Sequence, residues 1–287
     1  QMDRQDVFNK LWKFAKTKMQ MTSGAGRGYF AWRVQDTGAY LPFSDALGPA
    51  PDGVEYFVTS LFLADKRWGS APGLDNYLNY KVQADSILTY MLPGRSGQGP
   101  MIDTARKQIR FIPNVEYTDP SYHLPAFYRM WAAFSSHDTA LWRQMADTSM
   151  QLLRRASHPV TGLSPKFTNF DGVAMPAKTN NDDDAGIYAT DAVRTPMNIG
   201  LDWSWFMADS WEKTQTKKQL GFFLSDGISS YLQKYSLDGI AASAYTANQS
   251  QVGANGAAVL ASDTARDWAF VDALYATPIA SDEWRYY

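Results

Sequence analysis

Pro51-Asp52-Gly53-Val54-Glu55-Tyr56-Phe57, continued by Leu61 and Ala64, opens like a helix and carries an apolar stripe at helical spacing. Phe8, Leu11, Trp12 and Ala15 recur in the same way, as do Leu78, Val82, Ile87 and Met91. Further stripes follow in 124–134, 141–153, 197–207, 220–232, 252–260 and 268–275, which gives nine helices. Between them lie connections rich in Gly, Pro, Asn and Asp, such as 92–100 and 170–185. Strand-like alternation is brief, at Tyr29 to Val34 and at Gln108 to Ile112. Helix followed by long loop, repeated without a fixed sequence period, disfavours a consensus solenoid. An all-α fold is expected, an α/α barrel whose loops at one end build the site.

The 287 residues, 45% hydrophobic, are enough for a full core. No Ser/Gly-rich linker or shift in charge divides them, so a single domain over 1–287 is expected. The net charge of -2, with Lys and Arg scattered, excludes a phosphate-tracking surface, and no nucleic-acid partner is expected. No apolar run approaches the roughly 20 residues that span a bilayer, so no membrane partner is expected either. Gln1 to Asp6 lacks the plan of a signal peptide. The absence of Cys removes disulfides and thiolate chemistry while fitting cytoplasm and periplasm equally. Aromatics make up 14% of the chain, with 10 Trp and 16 Tyr. Most of these rings fill a core, but sugar sites also use them, because the apolar face of a sugar packs on a ring.

Acids stand where helices should begin. Asp52 precedes its stripe, Asp119 is followed by Pro120, and Asp191 stands one turn before Met197. N-capping explains such placement and is the reading for Asp119. Asp52 and Asp191 have neighbours suited to sugar binding, and Arg194 shares a face with Asp191 if the helix has begun there. Acids beside aromatics at helix starts suggest a carbohydrate-cutting groove.

The strings Ala50-Pro51-Asp52-Gly53-Val54-Glu55-Tyr56-Phe57, Arg67-Trp68-Gly69, Thr118-Asp119-Pro120-Ser121-Tyr122-His123-Leu124-Pro125-Ala126-Phe127-Tyr128, Asp191-Ala192-Val193-Arg194 with Met197-Asn198, and Trp284-Arg285-Tyr286-Tyr287 resemble glycoside hydrolase family 8 along the whole chain. The Pro-Asp-Gly-x-Glu-Tyr-Phe form and His123 after Ser-Tyr resemble its xylan-acting branch. The resemblance implies an (α/α)6 barrel and single-displacement hydrolysis with inversion of β-1,4-xylosidic bonds in xylan or xylo-oligosaccharides; a monomer without cofactor or metal is expected. In that mechanism a protonated carboxyl and a carboxylate stand about 6.5–9.5 Å apart, leaving room for water between the base and the sugar. Asp191 matches the general base, and Asp52 an acid that binds the distorted sugar and helps set the charge of the site. Tyr122 and Arg194 correspond to residues holding that sugar and the water or base. Trp32 corresponds to a stacking platform, and Trp284 and Tyr287 to aromatics near the leaving group.

The family's general acid is a Glu in a Ser/Thr-Glu-Gly pattern, and the resemblance places it upstream of Gln1. None of Glu55, Glu116, Glu212 and Glu283 stands in that pattern. A catalytic domain cut at both ends is therefore expected, with poor hydrolysis by this polypeptide alone. Relatives that release xylose stepwise from the reducing end carry a Leu-His-Pro loop across the cleft. Ala244 to Val252, in the corresponding stretch, has neither His nor Pro. Internal cleavage by a secreted or periplasmic enzyme is thus expected, with reducing-end xylose release in the cytoplasm as the alternative. Family aromatics are missing where Asn114 and Thr190 stand. A noncatalytic xylan-binding protein on the same barrel is the second alternative.

Other constellations are weaker. His123, His137 and His158 lack metal-ligand spacing, and His123 is expected to be a structural hydrogen-bonding residue. Asn180-Asn181-Asp182-Asp183-Asp184 lacks the Gly and closing Glu of a calcium loop and is read as a solvated acidic loop. Gly24-Ala25-Gly26-Arg27-Gly28 lacks the Lys-Ser/Thr of a phosphate loop.

Overall fold

The structure, a computed structural model, describes residues 3–35, 37–39, 48–74 and 76–278. Nine α-helices lie among these residues: α1 (Gln5–Phe14), α2 (Pro51–Trp68), α3 (Tyr80–Met91), α4 (Pro125–Phe134), α5 (Thr139–Ala156), α6 (Arg194–Phe206), α7 (Trp211–Asp226), α8 (Gln249–Ala258) and α9 (Trp268–Ala276). The chain divides into two compact units, one of Gln1–Glu116 with Phe127–Ala146 and one of Tyr117–Ala126 with Asp147–Tyr287.

In the first unit, Pro51 takes the first position of α2, where its missing N–H is no loss and its fixed φ suits the helix. The helix buries Val54, Val58, Leu61 and Phe62 on one face. Glu55 and Thr59 are buried as well, and each has a partner: the Tyr128 hydroxyl donates to Glu55 Oε1 at 2.5 Å, and Trp131 Nε1 to Thr59 Oγ1 at 2.9 Å. Gly69, at φ 77°, ends α2 in a conformation that side chains rarely adopt. Two short strands, β1 (Ile102–Asp103) and β2 (Gln108–Ile109), pair antiparallel. The alternation read at Gln108 to Ile112 thus becomes a strand of two residues. That at Tyr29 to Val34 shows an isolated bridge from Phe30 to Gln20.

In the second unit, Leu163, Tyr188, Leu220, Phe223, Tyr231 and Phe270 build a core. Gly200 lets α6 approach α8 closely, since a Cβ there would stand 2.9 Å from the Ala257 carbonyl oxygen. The one displaced helix is α7, read from its stripe as 220–232 and observed over Trp211–Asp226. Its first half buries Glu212, Gln215, Thr216 and Gln219, a polar face that carries no apolar period. Gln215 is satisfied there by donating to the Gly162 carbonyl at 2.6 Å. Gly227, at φ 99°, then stops the helix before Leu232.

Candidate active site

Tyr188 and Tyr235 exchange backbone hydrogen bonds of 2.9 and 3.0 Å, anchoring the chain just before Asp191. Thr190 then adopts φ 30°, a strained value for a β-branched residue, and opens a 3-10 turn over Thr190–Val193 that runs straight into α6. The helix has therefore begun at Asp191, and Arg194 lies on the same face. Arg194 Nη2 stands 3.2 Å from Asp191 Oδ1. Its other contacts fix it: Nε donates to Ser121 Oγ at 3.1 Å, Nη2 lies 3.4 Å from Asp119 Oδ2, and the guanidinium covers the Tyr122 ring at 5.2 Å. Asn198, one turn further along α6, donates to the Ser121 carbonyl at 2.7 Å and clamps the 3-10 turn Pro120–Tyr122 against the helix. Asp191, Arg194 and Tyr122 are thus brought together. Asp191 keeps a third of its side chain exposed, whereas Arg194 and Tyr122 are buried.

Asp119 is the N-cap expected of it, accepting from the Ser121 N–H at 2.7 Å. It is also more than that, because it is fully buried behind Arg194. Burial pushes its carboxyl up to about 7; Arg194 pulls the other way and the Asp191 charge adds to the rise. Such a carboxyl has no exposed surface from which to reach a sugar.

His123 is structural, as read. Its ring lies 2.9 Å from Thr118 Oγ1 and 2.8 Å from Ser149 Oγ, and it is fully buried. Burial, and to a lesser degree the Arg155 charge, pulls its pKa down to about 3. The folded state thus refuses a proton that the unfolded chain accepts below about pH 6.5, so this contribution is complete above that pH and is lost as pH falls toward 3. The expected loss is about 1.4 kcal/mol per pH unit across that window. Denaturant unfolding at pH 7, 5 and 4 measures it, and in His123→Gln the part of the slope due to this group should vanish.

Beside Asp191 lies a cavity of about 210 Å³, bordered by Thr190, Asp191, Lys234, Asn248, Ser250 and Gln251. Asn248 uses its side-chain oxygen to cap α8 at the Gln251 N–H, 3.0 Å away. Gln251 donates to the Leu232 carbonyl at 3.0 Å, while its own oxygen is buried with no hydrogen-bond partner among the described residues. The stretch 244–252, whose sequence lacks His and Pro, therefore supplies amide and hydroxyl groups to the space beside Asp191.

The sequence missed Lys166. Its Nζ lies 3.5 Å from Asp191 Oδ2 and also pairs with Asp182. Nothing in the local pattern of Pro165-Lys166-Phe167 announces it, since the contact comes from tertiary approach. The acidic loop is less solvated than its sequence implies: Asp182, Asp183 and Asp184 pair with Lys166, Lys178 and Lys234. No group of three or more His, Cys, Asp or Glu that could hold a metal occurs among the described residues.

In the first unit, Asp52 occupies the second position of α2, 8% exposed, with Oδ1 accepting from the Gly53 N–H at 2.8 Å; Ala50, not Asp52, is the N-cap. Trp32 is 42% exposed and the Arg33 guanidinium covers its ring at 4.4 Å. Trp284 and Tyr287 lie outside the described residues.

The family model for glycosyl hydrolases family 8 matches residues 1–284. Among curated proteins, the chain is 37% identical to the reducing-end xylose-releasing exo-oligoxylanase Rex8A of Paenibacillus barcinonensis, over all of this chain and 74% of that protein. It is 39% identical to a reducing end xylose-releasing exo-oligoxylanase of Halalkalibacterium halodurans, over 83% of this chain and 59% of the other. The structure of Rex8A complexed with xylose superposes with a TM-score of 0.87 at 36% identity, over 97% of this chain and 72% of that one. The chain belongs to glycosyl hydrolases family 8, and its fold class is the (α/α)6 barrel of that family. No helix among the described residues is long and apolar enough to cross a membrane.

Proposed function

We propose that the chain is part of one catalytic domain, spanning 1–287, that hydrolyses β-1,4-xylosidic bonds of xylo-oligosaccharides with inversion, releasing xylose from the reducing end. The observation that carries the hydrolytic reading is Asp191, a partly exposed carboxylate gripped by Arg194 and Lys166 beside an open cavity. In this reading Asp191 takes a proton from water as the water oxygen bonds to the anomeric carbon and the glycosidic bond breaks. The leaving oxygen receives its proton from a general acid. Glu55 is buried against Tyr128, Glu116 is paired with Arg106 and Arg110, and Glu212 is fully buried, so none suits that task. The donor in this reading is the Glu that the family pattern places upstream of Gln1. Tyr122 holds the distorted sugar in this reading; for Asp52, Trp32, Trp284 and Tyr287 the sugar-binding roles rest on the family resemblance alone.

Reducing-end release is favoured over the internal cleavage expected from the 244–252 stretch, because both curated relatives described above carry that activity in their names. Short oligosaccharides as substrates accord with action in the cytoplasm. Internal cleavage remains the second reading, since Asn248 and Ser250 border the cavity beside Asp191 where blocking relatives carry Leu-His-Pro.

Products from xylohexaose test this, using the 287-residue chain and a version extended upstream through the expected Glu. Xylose and xylopentaose as first products from the extended version, with little turnover by the shorter one, are expected. Xylotriose among the first products would overturn the exo reading in favour of internal cleavage. Equal rates for the two versions would overturn the upstream acid.

A further inference from the structure

Each carboxylate of Asp182-Asp183-Asp184 is met by a lysine, but the three pairs differ in where they stand. Lys178 and Asp183 are both 72% exposed, an ordinary surface pair. Lys166 is only 12% exposed at its side chain, and its ammonium bridges Asp182 to Asp191. Lys234 pairs with Asp184 at 2.5 Å and borders the cavity next to Asp191. One of the three pairs therefore reaches the candidate base directly, and a second borders the cavity beside it.

Resting on the hydrolytic reading above, we propose that Lys166 and Asp182 are a positioning pair for Asp191, with the acidic loop as their scaffold. Arg194 approaches Oδ1 and Lys166 approaches Oδ2, so the two oxygens are gripped by different cations and rotation of the carboxylate is restrained. A lysine alone is a poor clamp, because its four-carbon stem is flexible and its ammonium strongly hydrated. Asp182 removes that freedom by holding the same ammonium from the other side. Asp182 is itself fixed: its Oδ1 accepts from the Asp184 N–H at 2.9 Å, and its carbonyl accepts from the Lys178 N–H at 2.8 Å. Among the described residues, the charged groups around Asp191 are thus Arg194 from α6, Lys166 with its partner Asp182, Lys234 with its partner Asp184 at the border of the cavity, and buried Asp119 against Arg194. Burial lowers the Lys166 pKa, but the carboxylates of Asp182 and Asp191 outweigh it and leave the amine raised.

Two measurements test the pair. The first needs no turnover: NMR titration of the Lys166 ε-amine in the wild type, Asp191→Asn, Asp182→Asn and, as a control, Asp183→Asn. The amine should titrate at lower pH in the first two variants and unchanged in the control. An amine indifferent to Asp191→Asn would overturn the proposal. The second is hydrolysis of β-xylobiosyl fluoride, whose leaving group needs little protonation, so that the base limits the rate and the general acid does not. Lys166→Met should lower kcat about 10- to 100-fold with little change in KM. Lys166→Arg should retain most of the rate. A Lys166→Met enzyme with wild-type kcat would overturn the role. If the wild type hydrolyses neither oligosaccharide nor fluoride, the hydrolytic reading fails, and the amine titration still decides whether Asp191 and Asp182 hold Lys166.

Discussion

Asp191→Asn is expected to lower kcat by about 10²–10⁴-fold, the usual share of a positioned general base. The amide keeps the shape of the side chain but cannot take the proton of the attacking water. The loss should appear equally with xylo-oligosaccharides and with β-xylobiosyl fluoride, because the base acts on water whatever the leaving group is. Affinity for xylotriose, measured calorimetrically, should change little, since a neutral sugar has no charge to match. Turnover falling while affinity holds is the signature of a group that serves the transition state. The opposite pattern, affinity lost with no turnover to lose, would make the protein a xylan-binding module and sink the base assignment. The variant also leaves Arg194 and Lys166 facing a neutral group, each still held from behind by Asp119 and Asp182. That backing is why the substitution should be tolerated by the fold.

How much of this was legible depends on whether an interaction follows the chain. The stripe of Tyr56, Phe57, Leu61 and Ala64 is local and announces α2, although the face it buries is that of Val54, Val58, Leu61 and Phe62 while Tyr56 stays 46% exposed, and nine helices follow from such stripes. The first half of α7 does not, because its buried face is made of Glu212, Gln215, Thr216 and Gln219, polar residues that carry no apolar period, and Gln215 finds its partner, the Gly162 carbonyl, only through the tertiary fold. The candidate site divides in the same way. Asp191 and Arg194 are three residues apart, so their contact is written in the spacing once a helical turn is assumed. Asp119 reads as an N-cap from Asp-Pro-Ser alone, and the structure agrees. Its second partner, Arg194, lies far along the chain, and only folding places the two together. Lys166 is invisible for the same reason: a single lysine in a loop has no pattern. The run Asp182-Asp183-Asp184 is conspicuous, yet its meaning lies in lysines that the run itself does not contain.

Arg194→Met should be the most destabilising of these changes, because it strands Asp119. A buried carboxylate that loses its cation typically costs about 3–5 kcal/mol. The pH dependence distinguishes this cause from simple loss of packing. Asp119 is raised to about 7 in the folded state against an ordinary value of 3.8, so between those limits the folded chain binds a proton that the unfolded chain has released. Stability from this group is therefore greatest in acid and falls as pH rises through the window. Without Arg194 the carboxyl is raised further, and the penalty grows as pH rises beyond 7. Denaturant unfolding of Arg194→Met should thus show a deficit at pH 8 well above that at pH 5. Adding Asp119→Asn should recover a large part of the loss at pH 8, since an amide needs no counter-charge and can still accept from the Ser121 N–H. Activity should not return with it, because Arg194 also holds Asp191 Oδ1 and stands on the Tyr122 ring. Equal deficits at both pH values, with no recovery in the double variant, would show that Arg194 supports the fold by packing rather than by neutralising Asp119.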